Sequence, residues 1–155
     1  MEKRTRMCYT GTNMTWRVSF MTEEMKRALA VQSGNAFAVY NHIDLEHAEK
    51  DKVIIRLDIN DNSKNPLGIV HGGAMYTMAD CATGIAAHTD GRRYVTQTST
   101  MHYLRNRKEG VIRAVGQVIH RGRTTCIVKA EITDEEGKLL AMGEFSFFCV
   151  DREEK

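Results

Sequence analysis

The sequence is poor in proline, in long apolar runs and in serine- or glycine-rich segments. Its one proline among 155 residues is Pro66, and no repeat or low-complexity segment marks an interior linker, so one domain is expected. No stretch approaches the ~20 apolar residues of a membrane span, and no apolar run of about 7–15 residues follows the basic N-terminus, as a signal peptide requires. We therefore expect a cytoplasmic protein that has no membrane partner.

Clustered cysteines and an excess of one charge are also missing. The four cysteines are scattered, without a Cys-x-x-Cys pair and without histidines at zinc-finger spacing, which predicts reduced, buried thiols and no metal site. They are Cys8, Cys81, Cys126 and Cys149. The 22 basic residues are nearly balanced by 20 acidic ones, so the chain lacks the basic surface that nucleic-acid binding requires. The composition therefore argues against metal and nucleic-acid chemistry.

Apolar periodicity predicts an α+β domain over residues 21–150, with residues 1–20 as a loosely ordered arm and 151–155 as a disordered tail. Thr22 is positioned to cap a first helix that Gly34 ends. Alternating apolar residues then predict two strands, over 37–45 and 53–59, joined by a polar turn at 47–51. A small-residue segment at 72–88, whose apolar stripe consists of Met75, Ala79, Ala82 and Ala86, predicts a buried helix. Four strands are then expected at 94–104, 111–120, 124–133 and 139–150, and the third has an apolar face made of Cys126, Val128, Ala130 and Ile132.

Candidate chemistry is concentrated in residues 65–80, Asn-Pro-Leu-Gly-Ile-Val-His-Gly-Gly-Ala-Met-Tyr-Thr-Met-Ala-Asp. Glycines at the helix entrance let a ligand approach the backbone, and the first-turn N–H groups, which have no intrahelical partner, would stabilise an oxyanion there. Asp80 follows Gly72 by eight residues, about 12 Å along the axis at ~1.5 Å per residue, among apolar neighbours. Since a buried carboxylate is costly unless it is paired or used, these features together point to hydrolysis of an acyl bond.

The same stretch resembles the hotdog-fold thioesterases of the phenylacetate-pathway (PaaI) type, whose pattern is Asn, then Gly-x-x-His-Gly-Gly, then Asp or Glu nine residues after the histidine. This chain has Asn65, Gly68, His71-Gly72-Gly73 and Asp80 in that register, and the resemblance covers about residues 35–150. It implies a hotdog fold, in which an antiparallel sheet wraps around one long central helix. It also implies hydrolysis of an acyl-CoA thioester without a metal or redox cofactor. Because the site of such proteins is completed at a subunit interface, it implies a homodimer, with dimers pairing into a dimer of dimers.

The resemblance also assigns roles to individual residues. The Gly72 N–H would polarise the thioester carbonyl, and Asp80 would be the nucleophile or the general base. Asn65 would hold the substrate or the attacking water, while His71 would order the site and the Thr96 hydroxyl would help to position the water. The other predicted contacts to substrate or coenzyme A are Gly73, Tyr103 and the turn His120, Arg121, Gly122, Arg123 and Thr124, whose arginines would meet phosphates.

Two other classes of protein stay open at this point. A non-catalytic protein that senses acyl-CoA or acyl carrier protein would bind its ligand without releasing a thiol, although the chain has no spare length for a DNA-binding output domain. A hotdog dehydratase or hydratase is a third possibility, but the pattern around the histidine and the acid differs in those enzymes. The sequence does not determine the acyl group; Met75, Met78 and Met101 are candidates to line a flexible acyl pocket.

Overall fold

Six antiparallel strands form one sheet, and a long helix packs against its buried face. The computed structural model describes residues 21–151, so the predicted arm at 1–20 and residues 152–155 of the predicted tail lie outside the described range. The elements are α1 (Glu23–Gly34), α2 (Ala36–Tyr40), β1 (Ile43–Glu49), β2 (Lys52–Asp58), a 3-10 turn (Asp61–Ser63), α3 (Gly72–His88), β3 (Tyr94–Tyr103), β4 (Val111–Arg121), β5 (Thr125–Asp134) and β6 (Leu139–Cys149). The strand order is β1-β2-β4-β5-β6-β3. The predicted α+β class with one long helix is confirmed.

Helix α3 is central because small residues on both sides let the helix and the sheet come close. Met75, Ala79, Ala82 and Ala86, which were predicted to share one stripe, are all completely buried. On the facing strand β4, a Cβ atom at Gly116 would lie 2.5 Å from the Ala82 carbonyl oxygen, so only glycine permits this approach. The glycine- and threonine-rich helix has poor intrinsic propensity, and its contacts with the sheet stabilise it instead. The predicted apolar face of β5 is buried as well: Cys126, Val128, Ala130 and Ile132.

The segment before β1 differs from the prediction. Thr22 caps α1 and the helix ends at Gly34, as expected. The strand predicted to start at residue 37 is wrong, because that segment forms the short helix α2 and β1 begins only after it. The Asn35 side chain accepts the Ala38 N–H at 3.1 Å, and this helix cap overrides the strand-like alternation of apolar residues.

Strands β1 and β2 form the predicted hairpin, with a tighter turn than expected. Pairing continues to Glu49 and Lys52, so only Lys50 and Asp51 make the turn, instead of the whole 47–51 segment. Asp51 has φ 64°, in the left-handed region that short hairpin turns use. This hairpin makes β1 one edge of the sheet, and β3 is the other.

The second half of the chain follows the prediction closely. Strands β3 to β6 begin and end within about one residue of the expected bounds. Asp151, the first residue of the predicted tail, accepts hydrogen bonds from the Arg93 backbone N–H at 2.7 Å and from its guanidinium at 2.6 Å. None of the helices between residues 21 and 151 combines the length and the hydropathy needed to cross a bilayer.

Candidate active site

His71 is the N-cap of α3 and determines which backbone donor of the first turn stays open. Its backbone is extended (φ -65°, ψ 134°), and its Nδ1 accepts the Gly73 N–H at 2.8 Å. Its carbonyl oxygen accepts the N–H groups of Ala74 at 3.0 Å and Met75 at 3.2 Å. Within residues 21–151, no acceptor is bonded to the Gly72 N–H. The first turn therefore presents one open donor, at the positive end of the helix dipole.

The His71 ring and Tyr103 frame this donor. Because Nδ1 is an acceptor, the neutral imidazole carries its proton on Nε2. The Tyr103 hydroxyl donates to the Gly72 carbonyl oxygen at 3.2 Å. Burial, with a smaller contribution from Tyr76, raises the pKa of Tyr103, so the phenol stays protonated and able to donate. The structure thus places Tyr103, a predicted substrate contact, beside the candidate oxyanion donor.

Asp80 lies two turns further along α3 and is half-buried. The Thr96 hydroxyl donates to its Oδ1 at 3.1 Å, which brings together two predicted residues from separate elements. Burial raises the pKa of the Asp80 carboxyl, and the hydrogen bond from Thr96 offsets part of that rise. The result is a carboxylate with a higher proton affinity than usual, which is the property that a general base requires.

A β-bulge at Gln97 turns Thr96 toward α3. Thr96 pairs with Phe147 and Ser99 pairs with Phe145, and both phenylalanines face the buried side of the sheet. A regular strand would put positions 96 and 99 on opposite faces, because side chains alternate with a period of two. The register shift next to Thr96 supplies the extra residue that puts both side chains on the helix side.

Asn65 organises the loop that leads into α3. Its side-chain oxygen accepts the N–H groups of Leu67 at 2.9 Å and Ile69 at 3.4 Å, and its carbonyl oxygen accepts the Gly68 N–H at 2.9 Å. Gly68 has φ 72°, a conformation that favours glycine. Among the contacts of the described residues, none joins Asn65 to Asp80. One subunit alone therefore does not bring these two predicted residues together.

The predicted coenzyme A turn lies at the opposite end of α3 from Gly72. It connects β4 to β5 and is closed by the Gly122 N–H, which donates to the Thr125 carbonyl oxygen at 2.7 Å. Arg92, which was not predicted as a site residue, donates to the carbonyl oxygens of Arg123 at 2.7 Å and Gly122 at 3.3 Å, and so fixes the shape of the turn. The exposed members of the turn are His120, Arg123 and Thr124.

Arg121 is bonded to carbonyl and carboxylate groups of the protein, whereas phosphates were predicted as its partners. Its guanidinium donates to the carbonyl oxygens of Ala86 at 3.1 Å and Ala87 at 2.8 Å, near the C-terminal end of α3. It also forms ion pairs with Asp51 at 2.7 Å and Asp90 at 2.9 Å. A cation at this position complements the negative end of the helix dipole. Arg121 thus has a structural role, in which it fastens the turn to α3, and its predicted phosphate contact stays a prediction.

Two further residues lie where α3 contacts β3, between Gly72 and Asp80: Tyr76 and Ser99, which were not predicted. The Tyr76 Oη and Ser99 Oγ atoms lie 2.5 Å apart, and their hydrogen bond joins α3 to β3 between the bonds made by Tyr103 and Thr96. Tyr76 is four positions from both Gly72 and Asp80, the spacing of one helix face, and this signal was available in the sequence. Ser99 had no such signal, because its relation to Thr96 depends on the bulge.

Comparison with known proteins agrees with the observed fold. Residues 67–141, which include α3 and β3, match the family model described as Thioesterase superfamily. The chain is 29% identical to 1,4-dihydroxy-2-naphthoyl-CoA hydrolase of Listeria monocytogenes over 104 residues, which are 64% of this chain and 84% of that protein.

Solved structures give the same result. The E. coli PaaI protein from the phenylacetic acid degradation operon superposes with a TM-score of 0.79 at 23% identity, over 83% of this chain and 94% of that one. A hypothetical thioesterase protein from Streptococcus pneumoniae, solved with coenzyme A, superposes with a TM-score of 0.69 at 28% identity. That superposition covers 74% of this chain and 93% of the Streptococcus chain.

Proposed function

Because this chain belongs to the thioesterase superfamily and has its hotdog fold, we propose that it hydrolyses acyl-CoA thioesters at a site made by two subunits. The predicted resemblance to PaaI-type thioesterases is confirmed, and the enzyme class is that of a thioester hydrolase. One observation carries the proposal: α3 presents an open N–H donor at Gly72 and a carboxylate of raised pKa at Asp80 on the same side as β3. The products are the free acid and coenzyme A.

The Gly72 N–H supplies the electrostatic part of the reaction. When the thioester carbonyl is attacked, negative charge develops on its oxygen, and a fixed N–H at a helix N-terminus stabilises that charge. His71 keeps the neighbouring Gly73 N–H occupied and holds the first turn in shape. Tyr103 restrains Gly72 from the other side through the Gly72 carbonyl. Both side chains thus contribute to positioning the donor.

Asp80 supplies the base or the nucleophile. As a general base, it takes a proton from water, the resulting hydroxide attacks the carbonyl carbon, the C–S bond breaks, and the coenzyme A thiolate recovers a proton. As a nucleophile, its oxygen attacks the carbonyl carbon directly, the C–S bond breaks, and the coenzyme A thiolate leaves and is protonated. The mixed anhydride that results is then hydrolysed by water. Single-turnover hydrolysis in oxygen-18 water separates the two routes, because only the nucleophilic route introduces label into the Asp80 carboxylate.

The distance along α3 argues for two subunits. Gly72 and Asp80 of one chain are about 12 Å apart along the axis at ~1.5 Å per residue. An attacking Asp80 oxygen must approach the carbonyl carbon to about 3–3.5 Å while the N–H lies about 3 Å from the carbonyl oxygen, which together span little more than half of that distance. A water between Asp80 and the carbonyl carbon adds about 3 Å, which still leaves the span short of that distance. The proposed site therefore combines Gly72 of one subunit with Asp80 of the partner subunit.

Strand β3 is the surface through which the proposed dimer would form. It is an edge strand of ten residues whose side chains are mostly exposed, and an uncovered edge of that length is prone to pair with another strand. It also carries Thr96 and Tyr103, the two strand residues that contact α3 at Asp80 and Gly72. Pairing of two β3 strands about a two-fold axis would bring both sets of residues to one interface.

The first test is a panel of acyl-CoA thioesters assayed by thiol release, with wild type and Asp80→Ala. We expect wild type to cleave at least one thioester with a kcat/KM about 10²–10⁴-fold above that of the variant, the usual contribution of a general base. Binding of acyl-CoA without thiol release, unchanged in Asp80→Ala, would instead identify a non-catalytic binding protein. No difference in cleavage between the two proteins would refute the proposed role of Asp80.

The second test removes the Gly72 donor by Gly72→Pro. Proline has no N–H and is well tolerated at the first position of a helix, and the extended backbone of His71 is the conformation that a residue before proline adopts. We expect kcat/KM to fall about 10²–10³-fold, the usual loss of an oxyanion donor, while the fold persists. Gly72→Ala is the matched control, because it adds a methyl group at the same position but keeps the N–H.

Mixed dimers then test the two-subunit site. A dimer of one Gly72→Pro chain and one Asp80→Ala chain has one intact site if each site uses both subunits, and none if each site lies within one chain. Random mixing gives half mixed dimers with one site each, so about a quarter of wild-type activity should return. No recovery, with mixed dimers demonstrated by mass spectrometry, would contradict the two-subunit arrangement.

A further inference from the structure

Tyr76 lies in the middle of the α3 face that carries Gly72 and Asp80, and the proposed reaction gives it no role. It is four positions from each, so it lies about 6 Å along the axis from both at ~1.5 Å per residue. We propose, as an inference that rests on the proposed function, that the acyl group of the substrate lies against the Tyr76 ring, which favours aromatic over saturated acyl groups.

The Tyr76 ring is held from two sides. Its hydroxyl is hydrogen-bonded to Ser99 Oγ at 2.5 Å, and its centroid lies 5.6 Å from the centroid of Phe145 at an interplanar angle of 52°. Phe145 is completely buried, so it forms a fixed support. Because the two anchors come from different strands, the ring cannot turn away without losing one of them.

A large part of this fixed ring still faces outward. Tyr76 is 38% exposed, whereas Met75 and Met78 of the same helix, which were candidates to line an acyl pocket, are completely buried. An exposed aromatic ring gains free energy when an apolar group covers it. Tyr76, rather than the two buried methionines, is therefore the apolar surface that α3 offers next to the reacting groups.

The two-subunit site explains why the acyl group covers this ring. With Gly72 of one subunit facing Asp80 of the partner subunit, the two α3 helices run antiparallel, and Tyr76 of each chain lies near the two-fold axis. Coenzyme A is large and charged, so it has to leave the site toward solvent. The direction toward the axis is then left for the smaller, apolar acyl group, which meets Tyr76.

The ring selects acyl groups by its electrostatics. An aromatic face carries a quadrupole, so a second aromatic ring in an offset-stacked or edge-to-face arrangement is held more tightly than a saturated ring of equal size. The usual strength of such pairs, beyond their buried area, corresponds to between about twofold and tenfold in affinity. In the wild-type enzyme, the kcat/KM of an aromatic substrate relative to that of a saturated substrate of equal size should be raised by this factor.

Benzoyl-CoA and cyclohexanecarbonyl-CoA make the sharpest comparison, because their acyl groups have the same ring size and carbon number. We expect Tyr76→Leu to lower the benzoyl to cyclohexanecarbonyl ratio of kcat/KM between about twofold and tenfold. Tyr76→Phe keeps the ring and should keep the ratio, although loss of the Ser99 hydrogen bond raises KM for both substrates. Tyr76→Met provides the same comparison if Tyr76→Leu does not fold.

Tyr40→Leu is the matched control, because Tyr40 is 81% exposed on α2 and should leave the ratio unchanged. An unchanged ratio in an active Tyr76→Leu enzyme overturns the inference while the proposed function stands. If sedimentation shows that Tyr76→Leu dissociates the dimer, Tyr76→Met supplies the comparison in its place, and an unchanged ratio there overturns the inference. If wild type cleaves no acyl-CoA at all, the proposed function fails first, and the inference fails with it.

Discussion

Removing the Thr96 hydroxyl should move the acid limb of the pH profile to higher pH. Thr96→Val keeps the β-branched shape and deletes only the hydrogen bond to Asp80 Oδ1, which is 3.1 Å long. Burial already raises the pKa of Asp80, and the Thr96 hydroxyl is the group that opposes this rise. Without that donor the charged form loses its stabilisation, so the pKa of Asp80 rises further and a higher pH is needed to ionise it.

The size of the effect follows from the strength of the hydrogen bond. A hydrogen bond to an ionised group contributes about 1.5–3 kcal/mol, and we take the lower end because Thr96 is exposed to solvent. About 1.5 kcal/mol changes the ionisation equilibrium of Asp80 about tenfold. On the acid limb, where kcat/KM follows the ionised fraction, Thr96→Val should therefore be about tenfold slower than wild type at the same pH. On the alkaline plateau the loss should be smaller.

The assay is kcat/KM for thiol release from one good acyl-CoA substrate, measured from pH 4 to pH 9 for three proteins. Thr98→Val is the matched control, because the bulge turns Thr98 away from α3 and its partner in the register is Ser146. An acid limb that coincides in wild type and Thr96→Val would refute the electrostatic role of Thr96. An equal shift in Thr98→Val would show that the assignment of side chains to the two faces of β3 is wrong.

Three further substitutions test the site and its supports. Asp80→Asn should abolish most activity yet raise Tm at neutral pH, because burial raises the pKa of Asp80 and the ionised carboxylate therefore destabilises the fold. Near pH 3, where the group is protonated in both the folded and the unfolded state, the two Tm values should converge. Gly73→Ala puts a Cβ atom 2.9 Å from His71 Nδ1, so the helix cap should be displaced at a cost of about 0.5–2 kcal/mol in urea denaturation, whereas Gly72→Ala should not. Arg121→Met leaves two carboxylates and two helix carbonyls without their cation, and we expect a loss of about 2–3 kcal/mol, less than for a fully buried pair.

Most of the fold could be predicted from the sequence, because the local backbone preferences and the long-range packing favour the same secondary structure over most of the chain. The buried stripe of α3 and the alternation in β5 each satisfy both the backbone and the core, so periodicity identified them. The exception is α2, where Phe37 and Val39 alternate as in a strand but are both exposed. The Asn35 cap, not burial, determines the structure there, and apolar spacing contains no information about a cap.

Only part of the candidate site could be predicted from the sequence. The start of α3 and Asp80 could be recognised in the sequence because each is unusual where it occurs. Glycines are poor helix formers, and a carboxylate is rarely found among apolar residues. The protein partners of Arg121 were not predicted, because a basic residue in a turn usually faces solvent, whereas here its partners come from segments more than 30 residues away in sequence. No local pattern predicts such a contact, since it depends on how the hairpin packs against the end of α3.

The bulge at Gln97 allows β3 to be both an edge strand of the sheet and a wall of the candidate site. As an edge strand, β3 has to present a row of backbone groups to whatever covers the edge; as part of the site, it has to direct three side chains at one face of α3. Thr96 and Ser99 are three positions apart, so a regular strand, with its period of two, would direct them to opposite faces. The bulge accommodates Gln97 as one extra residue and so keeps both side chains on the helix side. Deleting Gln97 should therefore make β3 regular while Thr96 still pairs with Phe147, so Asp80 should keep its hydrogen-bond donor and the acid limb should coincide with that of wild type.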